Sequence, residues 1–398
     1  MSTSGPPSDR APKGALSPWG EAVLIGMTVL FLGAAVLWWA RSASKADQAA
    51  GVPVPTVSEA RGSVTMYVGS RACRGCHPGE HASHGTSGHD RTLRPAADTD
   101  LARLLDGTSV ADPELPGVTW SYALHAGRLT VERAGADEGG KIAIDYALGS
   151  GAHATTFVSL SAEGPGGRGG LEHRLSYFAH GKSLGLTPGQ HEFSKAGQSP
   201  FGYILPPLQT LDCFGCHATQ TSSRGPSVLD VATMIPNVSC ERCHGPGRSH
   251  VEKARGGAPL EALTMPFGPD RWTAESQVRL CGECHRLPEK LKPGSIRPDN
   301  PTLARFPSVG LMQSKCYTDS GGALSCTTCH DPHDRVSTDQ AAYESACLSC
   351  HQGAKQRACS VSPRSGCVSC HMPKRVVGRE LSFSDHWIRV RPTGPRKP

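Results

Sequence analysis

Aromatic side chains make up only 6% of this 398-residue chain, and hydrophobic residues of every kind only 37%. So few large apolar groups build a thin core for the length. Either much of the chain is disordered, or something other than side chains fills its interior. Neither sign of charge dominates: 41 Lys and Arg stand against 35 Asp and Glu, a formal net charge of +6. The basic residues are scattered, apart from Arg389, Arg391, Arg396 and Lys397 near the end. Such scatter lacks the basic stripe of a nucleic-acid binder, so no nucleic acid is expected as a partner. Sixteen cysteines in 398 residues are too sparse for a small disulfide-knotted scaffold. What is plentiful is Gly (46) and Pro (32), the residues of turns and irregular backbone.

Fourteen of the sixteen cysteines fall into one repeated pentapeptide, Cys-x-x-Cys-His. The seven copies are Cys73/Cys76/His77, Cys213/Cys216/His217, Cys240/Cys243/His244, Cys281/Cys284/His285, Cys326/Cys329/His330, Cys347/Cys350/His351 and Cys367/Cys370/His371. A lone Cys-x-x-Cys is ambiguous between half a zinc site and a dithiol redox pair. Neither chemistry needs a histidine directly after the second cysteine, and here all seven pairs have one. Two thiols three positions apart reach the two vinyl groups of one porphyrin, and the histidine then falls under the iron. The expected cofactor is therefore seven haem c, with the seven motif histidines as proximal iron ligands. Haems are large apolar plates, and seven of them would fill the interior that the side chains leave thin. Cys316 and Cys359 are left over and read as thiols or a structural disulfide.

A second imidazole would make an iron six-coordinate, low-spin and suited to electron transfer. Of the eleven remaining histidines, His84, His89, His153, His250, His333 and His386 are the candidate distal ligands, chosen by local context such as CHGPGRSH, CHDPH and SFSDHW. His180 and His191 are less distinctive, and His81, His125 and His173 read as surface or insert residues. Met312 and Met372 read as packing methionines.

From Ala22 to Ala40 runs an apolar stretch of 19 residues, enough to cross about 30 Å of hydrocarbon as a helix. Trp38 and Trp39 sit at its far end, where interfacial aromatics belong. Its length favours an uncleaved anchor over a signal peptide, though SASKADQAAG after it has room for a cleavage site. Bacterial c-type haem is attached outside the cytoplasm, which places the motifs in the periplasm and the anchor in the inner membrane. The expected organisation is a cytoplasmic tail (1–20), a transmembrane anchor (21–40), a linker (41–66), a first haem segment (67–95), an insert (96–205) and a six-haem domain (206–398). Within the insert VTWSYALHA, RLTVER, KIAIDYAL, TTFVSL and LEHRLSYFA alternate apolar and polar residues at strand period, with Gly-rich turns between them. The later motifs follow one another at intervals of 27, 41, 45, 21 and 20 residues. The fold class expected is mainly α with much irregular structure organised around seven covalent haems, plus the β-rich insert and one N-terminal transmembrane helix.

The strings CYTDSGGALSCTTCHDPH, CERCHGPGRSHV and CVSCHMPKR…FSDHWIRV resemble the multihaem superfamily that contains the tetrahaem cytochrome c of nitrifying bacteria and the hydroxylamine oxidoreductases. The likeness covers residues 67–95 and 201–392. It implies closely stacked, mostly bis-histidine haem pairs, a role in moving electrons, and His250, His333 and His386 as distal ligands. No motif ends in Lys, so the lysine-ligated haem of pentahaem nitrite reductases is not implied. The expected function is electron transfer along stacked haems rather than catalysis, between a redox-protein or quinol-linked donor and acceptor. The alternative is an oxidoreductase in which one open-site haem acts on a small nitrogen or sulfur compound.

Overall fold

The computed structural model describes residues 66–135, 139–164, 167–191, 198–222, 227–268, 272–352, 359, 365–378 and 381–391. All of them belong to one compact unit, Thr56–Pro398. The insert folds as strands because its alternating residues have one apolar face to bury. In chain order these are β1 (Leu93–Pro95), β2 (Ser109–Ala111), β3 (Thr119–His125), β4 (Arg128–Ala134), β5 (Gly140–Ile144), β6 (Tyr146–Leu148), β7 (Ala154–Gly164), β8 (Gly167–His173), β9 (Leu175–Phe178), β10 (Ser183–Leu186), β11 (Gln198–Ser199) and β12 (Gly202–Leu205). β2-β3-β4-β5 form a four-stranded antiparallel sheet. A second sheet runs β1-β6-β7-β8-β12-β11, with β9 and β10 attached through β7.

Register puts the alternation to use. Tyr122 lies opposite Val131 and Leu124 opposite Leu129, so the apolar residues of β3 and β4 share a face. Trp120, Tyr122, Leu129, Val131, Ile144, Phe157, Leu175 and Phe201 form one buried cluster, with Trp120 and Phe201 edge to face at 5.9 Å. At its margin lies a fully buried ion pair. Arg174 Nε donates to Asp112 Oδ2 at 2.6 Å, and Trp120 Nε1 donates to the same oxygen at 2.9 Å. The amides of Glu114 and Leu115 donate to Asp112 Oδ1, and Arg174 Nη1 donates to the Gln190 carbonyl. Burial pushes the Asp112 carboxyl up, but these donors outweigh it and hold it below the ordinary range.

A second cluster fastens the insert to the second motif. Phe214, the first spacer residue of Cys213-Phe-Gly-Cys216, is fully buried with Leu93, Leu148, Val158, Ala218 and Leu229. Tyr146 meets its ring edge-on at 5.3 Å. The helix that carries the motif, Pro207–His217, opens with Pro at its first position, where the missing N–H has no helical partner to lose. The rest of the described chain is short helices (Arg248–Arg255, Ala274–His285, Pro307–Met312 and Gln340–His351 among them) and two small hairpins. The hairpins are β13 (Ala218–Gln220) with β14 (Ile235–Pro236), and β15 (Lys374–Val376) with β16 (Ser382–Ser384).

This corrects the expected fold class. Helices take 34% and strands 24% of the described residues, so the chain is a mixture of the two and not mainly α. The reason is that the attachment helices stay short, only five residues at Cys240–His244 and Cys367–His371, while nearly every segment of the insert is strand. The expected transmembrane helix is corrected as well: among the described residues no helix is long and apolar enough to cross a membrane. The stretch on which that expectation rested, residues 21–40, lies outside the described residues.

Candidate functional site

Each motif adopts a helical turn, which brings the two cysteines to one side and the histidine just beyond them. At the first, the His77 amide donates to the Cys73 carbonyl at 2.9 Å. The second, fourth and sixth close the helices Pro207–His217, Ala274–His285 and Gln340–His351; the third and seventh are helices in themselves; the fifth is a tight 3-10 turn, Cys326–Thr328. Side-chain caps start several of these helices, Thr273 accepting from the Ser276 amide and Asp339 from the Ala341 amide.

Four motif histidines face a second imidazole from a distant part of the chain. His77 faces His250 at 6.3 Å between ring centroids, His285 faces His89 at 6.4 Å, His244 faces His333 at 6.0 Å and His330 faces His386 at 6.2 Å. An iron about 2 Å from a nitrogen of each ring, with the ring centres about 1 Å further back, separates two trans imidazoles by about 6 Å. The four gaps have that size. Their ring planes differ in twist: 30°, 67°, 4° and 37° in the same order.

The opposite ring nitrogen is tied back to the protein in half of these eight residues. Nδ1–H donates to the Phe267 carbonyl from His244 (3.3 Å), to the Pro332 carbonyl from His89 (3.5 Å) and to the Ser384 carbonyl from His386 (3.0 Å). His333 Nδ1 lies 3.2 Å from Asp331 Oδ1. Such bonds fix the tautomer and leave Nε2 free to bind a metal. His217 and His371 are held the same way, on the carbonyls of Thr92 (2.9 Å) and Arg389 (3.0 Å). Burial lowers the pKa of His244, His89, His217, His330 and His386. His285 is pulled down to about 4, first by burial and then by the neighbouring imidazoles His89, His386, His330 and His217. These rings are thus kept neutral, the form that ligates iron.

The remaining histidines are placed otherwise. Among the described residues no imidazole faces His217, His351 or His371. His84 is buried beside Asp90 at 3.7 Å, and His153 packs on Phe383 at 4.9 Å; neither stands opposite a motif histidine. His173 is sealed in the insert against Ser159, and His191 pairs with Glu114 on the surface.

Thiols from different motifs meet. Cys73 and Cys240, Cys216 and Cys284, and Cys281 and Cys326 lie close enough to shift one another's titration. Cys243 senses the charges of Cys281 and Cys284, and Cys347 those of Cys367 and Cys329. Motif three therefore lies beside one and four, motif four also beside two and five, and motif six beside five and seven. One residue that motif reading passes over helps hold this order. Glu241, a spacer residue of the third motif and 1% exposed, accepts from the amides of Val68 (3.0 Å), Gly69 (2.8 Å) and Gly247 (2.8 Å). It ties the approach to the first motif onto the third. The spacer positions carry no signature, so only the fold reveals this role.

The motif cysteines differ in how far the polypeptide encloses them. Cys76, Cys329, Cys350 and Cys370 are exposed. They are the second cysteines of the first, fifth, sixth and seventh motifs, whose first cysteines Cys73, Cys326, Cys347 and Cys367 are half-buried. His77 and His351 are exposed with them. The cause is the direction in which each turn faces. In these four motifs the first cysteine lies toward another motif: Cys73 toward Cys240, Cys326 toward Cys281, and Cys347 and Cys367 toward each other, with Cys329 also near Cys347. The turn then carries the second cysteine outward. Motifs two, three and four pack among the others, and there both cysteines are half-buried. The polypeptide thus encloses the middle of the row more fully than its ends.

The donors fit haem in a further way. Arg91 Nε, Arg94 Nε, Arg242 Nη1 and Trp272 Nε1 are buried donor atoms without a hydrogen-bond partner among the described residues. The pKa of Arg94 is lowered first by burial and then by the charge of Arg91. Buried cationic donors need acceptors, and the two carboxylates of each haem are such acceptors. Thiol pairs, facing imidazoles and unmatched donors together fit the group that the motifs imply.

Parts of the chain resemble known proteins. The family model described as cytochrome c554 and c-prime matches residues 191–245. The dissimilatory sulfite reductase MccA of Wolinella succinogenes is 25% identical over 183 residues, 36% of this chain and 23% of that protein. The chain thus spans less than a quarter of the length of the curated relative it matches. The crystal structure of the outer cell wall cytochrome OcwA aligns at a TM-score of 0.44 and 15% identity, over 81% of this chain and 80% of that one. The seven motifs and the matched family model support reading the chain as a multihaem c-type cytochrome.

Proposed function

We propose that this chain is an electron-transfer protein that carries a haem at each of its seven motifs. His77/His250, His244/His333, His285/His89 and His330/His386 are the axial pairs of four of them. Haem c, when bound, supplies a one-electron iron couple at each site. What carries the reading is the set of four imidazole pairs spaced for an iron, joined into a row by thiol contacts between motifs. The protein's own part is to present an imidazole on both sides of those sites, which favours electron transfer over substrate binding, and to hold the rings in place. The partners on this reading are a redox-protein or quinol-linked donor and an acceptor, and the location is the periplasm or its equivalent, where c-type haem is attached. A haem assay with intact mass on the matured protein tests the core of it. Seven haems are expected; three or fewer would end the reading.

A second reading has its own observation. His217 is held through Nδ1 like a ligand, yet no imidazole among the described residues faces it. Arg286 acts on both thiols of that motif and, with Glu172, on Arg305. A haem held there by His217, with Arg286 and Arg305 near it and Glu172 opposing them, would suit a small oxyanion, and the relative's name points to sulfite. Cyanide or sulfite titration of the oxidised protein decides: a spectral change limited to one haem supports catalysis, and none at all leaves electron transfer alone.

A further inference from the structure

Arg242 is the other spacer residue of the third motif, and its side chain reaches into the fourth. Only 6% of it is exposed. Nη2 donates to Cys284 Sγ at 3.5 Å and lies 3.4 Å from Glu283 Oε2, and both of these partners belong to the motif Cys281-Gly-Glu283-Cys284-His285. A guanidinium so placed is always charged and brings one positive charge against the sulfur that would anchor the fourth haem. Its partner carboxylate also comes from that motif. Arg242 cannot therefore be read as a solvated surface cation.

We propose that Arg242 tunes the fourth haem: its guanidinium raises the reduction potential there, and Glu283 opposes it. This rests on haem attachment at the fourth motif. Reduction adds one electron to ferric iron and removes one unit of positive charge, so a nearby cation favours the ferrous product and a nearby anion the ferric one. Donation to the anchoring sulfur draws electron density the same way. Fourth place in the row makes the effect consequential, because that motif lies beside the second, third and fifth.

The test is a redox titration of the full-length matured protein, followed by electron paramagnetic resonance. The signal of the His285/His89 haem is identified by its alteration in His89→Met. In Arg242→Met that haem should become harder to reduce, its equilibrium constant falling about tenfold, which is ~59 mV for one electron. Arg242→Lys, which keeps the charge, should restore most of the loss. Glu283→Gln keeps the guanidinium and should shift the same haem upward, and it serves if Arg242→Met fails to mature. Haem content of each variant separates the two ideas. An absent fourth haem in the wild type would remove the attachment on which this rests. A full complement with that potential unmoved in Arg242→Met and Glu283→Gln would overturn the tuning role.

Discussion

His386 reaches its place on a strap whose fit leaves no spare room, and one methyl group tests whether that fit matters. Gly310 lies in the helix Pro307–Met312, under the strap. A Cβ built there would meet the Trp387 nitrogen at 2.7 Å and the His386 carbonyl carbon at 2.8 Å. Ordinary contact is about 3.5–4.0 Å, so Gly310→Ala must push the strap back by about 1 Å. The strap cannot yield freely. Ser314 is fully buried, with Oγ 3.0 Å from the carbonyls of both Gly310 and His386, and it accepts from the Ile388 amide at 2.8 Å. Asp385 is gripped by Arg391 at 2.7 Å and Arg389 at 3.3 Å. Overpacking of this kind costs about 1–3 kcal/mol, and an iron–nitrogen bond of about 2 Å does not survive a 1 Å retreat. The expected result is one haem's worth of new high-spin signal in the oxidised spectrum, together with carbon monoxide binding by the reduced protein. Haem content should not change. An unaltered spin state with full haem content would show that His386 does not ligate the iron over His330.

Three further outcomes follow from the same geometry. Arg174→Met leaves the Asp112 carboxylate buried without its cation and should cost about 3–5 kcal/mol, read as a fall in thermal midpoint. Because the folded-state pKa of Asp112 is depressed, the stability it contributes is present above the ordinary carboxylate range and is lost as pH falls through the folded value, so the wild-type advantage over Arg174→Met should shrink below about pH 4. Glu241→Ala strips three amides of their acceptor, about 1–3 kcal/mol for each group left unsatisfied, and chemical denaturation should register the loss. Nearly parallel imidazoles split the iron d orbitals more than crossed ones do. The His244/His333 haem, with planes 4° apart, should give a rhombic low-spin signal, and the His285/His89 haem, at 67°, a strongly anisotropic one; two signals of one type would contradict the pairing.

The covalent chemistry was legible in the sequence because it is local: five residues specify a thioether site wherever they occur. How deeply each site would be enclosed was not, since Cys76, Cys350 and Cys370 share their motif with Cys216, Cys243 and Cys284 and differ only in what packs beside them. Alternation likewise marked the strands of the insert, where Trp120 and Tyr122 or Leu129 and Val131 must share a face. Context along the chain marked His89, His250, His333 and His386 as candidates, but the motif that each would face was hidden for the same reason as the enclosure. His77 meets His250, and His285 meets His89, across long separations in the chain, and nothing local distinguishes His84, which sits among the same residues yet faces no motif histidine. Overall helix content misled for a related reason. A motif needs only one turn to present its thiols, so seven motifs do not add up to a helical protein. Glu241, Gly310 and Ser314 were invisible because their roles are contacts between segments and leave no pattern along the chain.

The low apolar content finally bears on what folds without haem. Both apolar clusters among the described residues draw their buried members from Leu93 to Leu229. Beyond them, Val238, Phe267, Val278, Leu303, Val309, Leu311 and Leu381 are buried in neither cluster. Burying one such side chain contributes about 1.5–3 kcal/mol, against about 1–2 kcal/mol to fix each residue of backbone. Some 150 residues from Val238 to Arg391 cannot be ordered on that footing, whereas the insert has a shared core and a buried ion pair of its own. Made in a host that cannot attach haem, the protein should therefore keep a protease-resistant fragment near residues 93–222, while the motifs after Val238 are cut. In the matured protein both regions should resist. If the haem-free protein protected the later motifs as well as it protects the insert, the argument that haem supplies their core would fail.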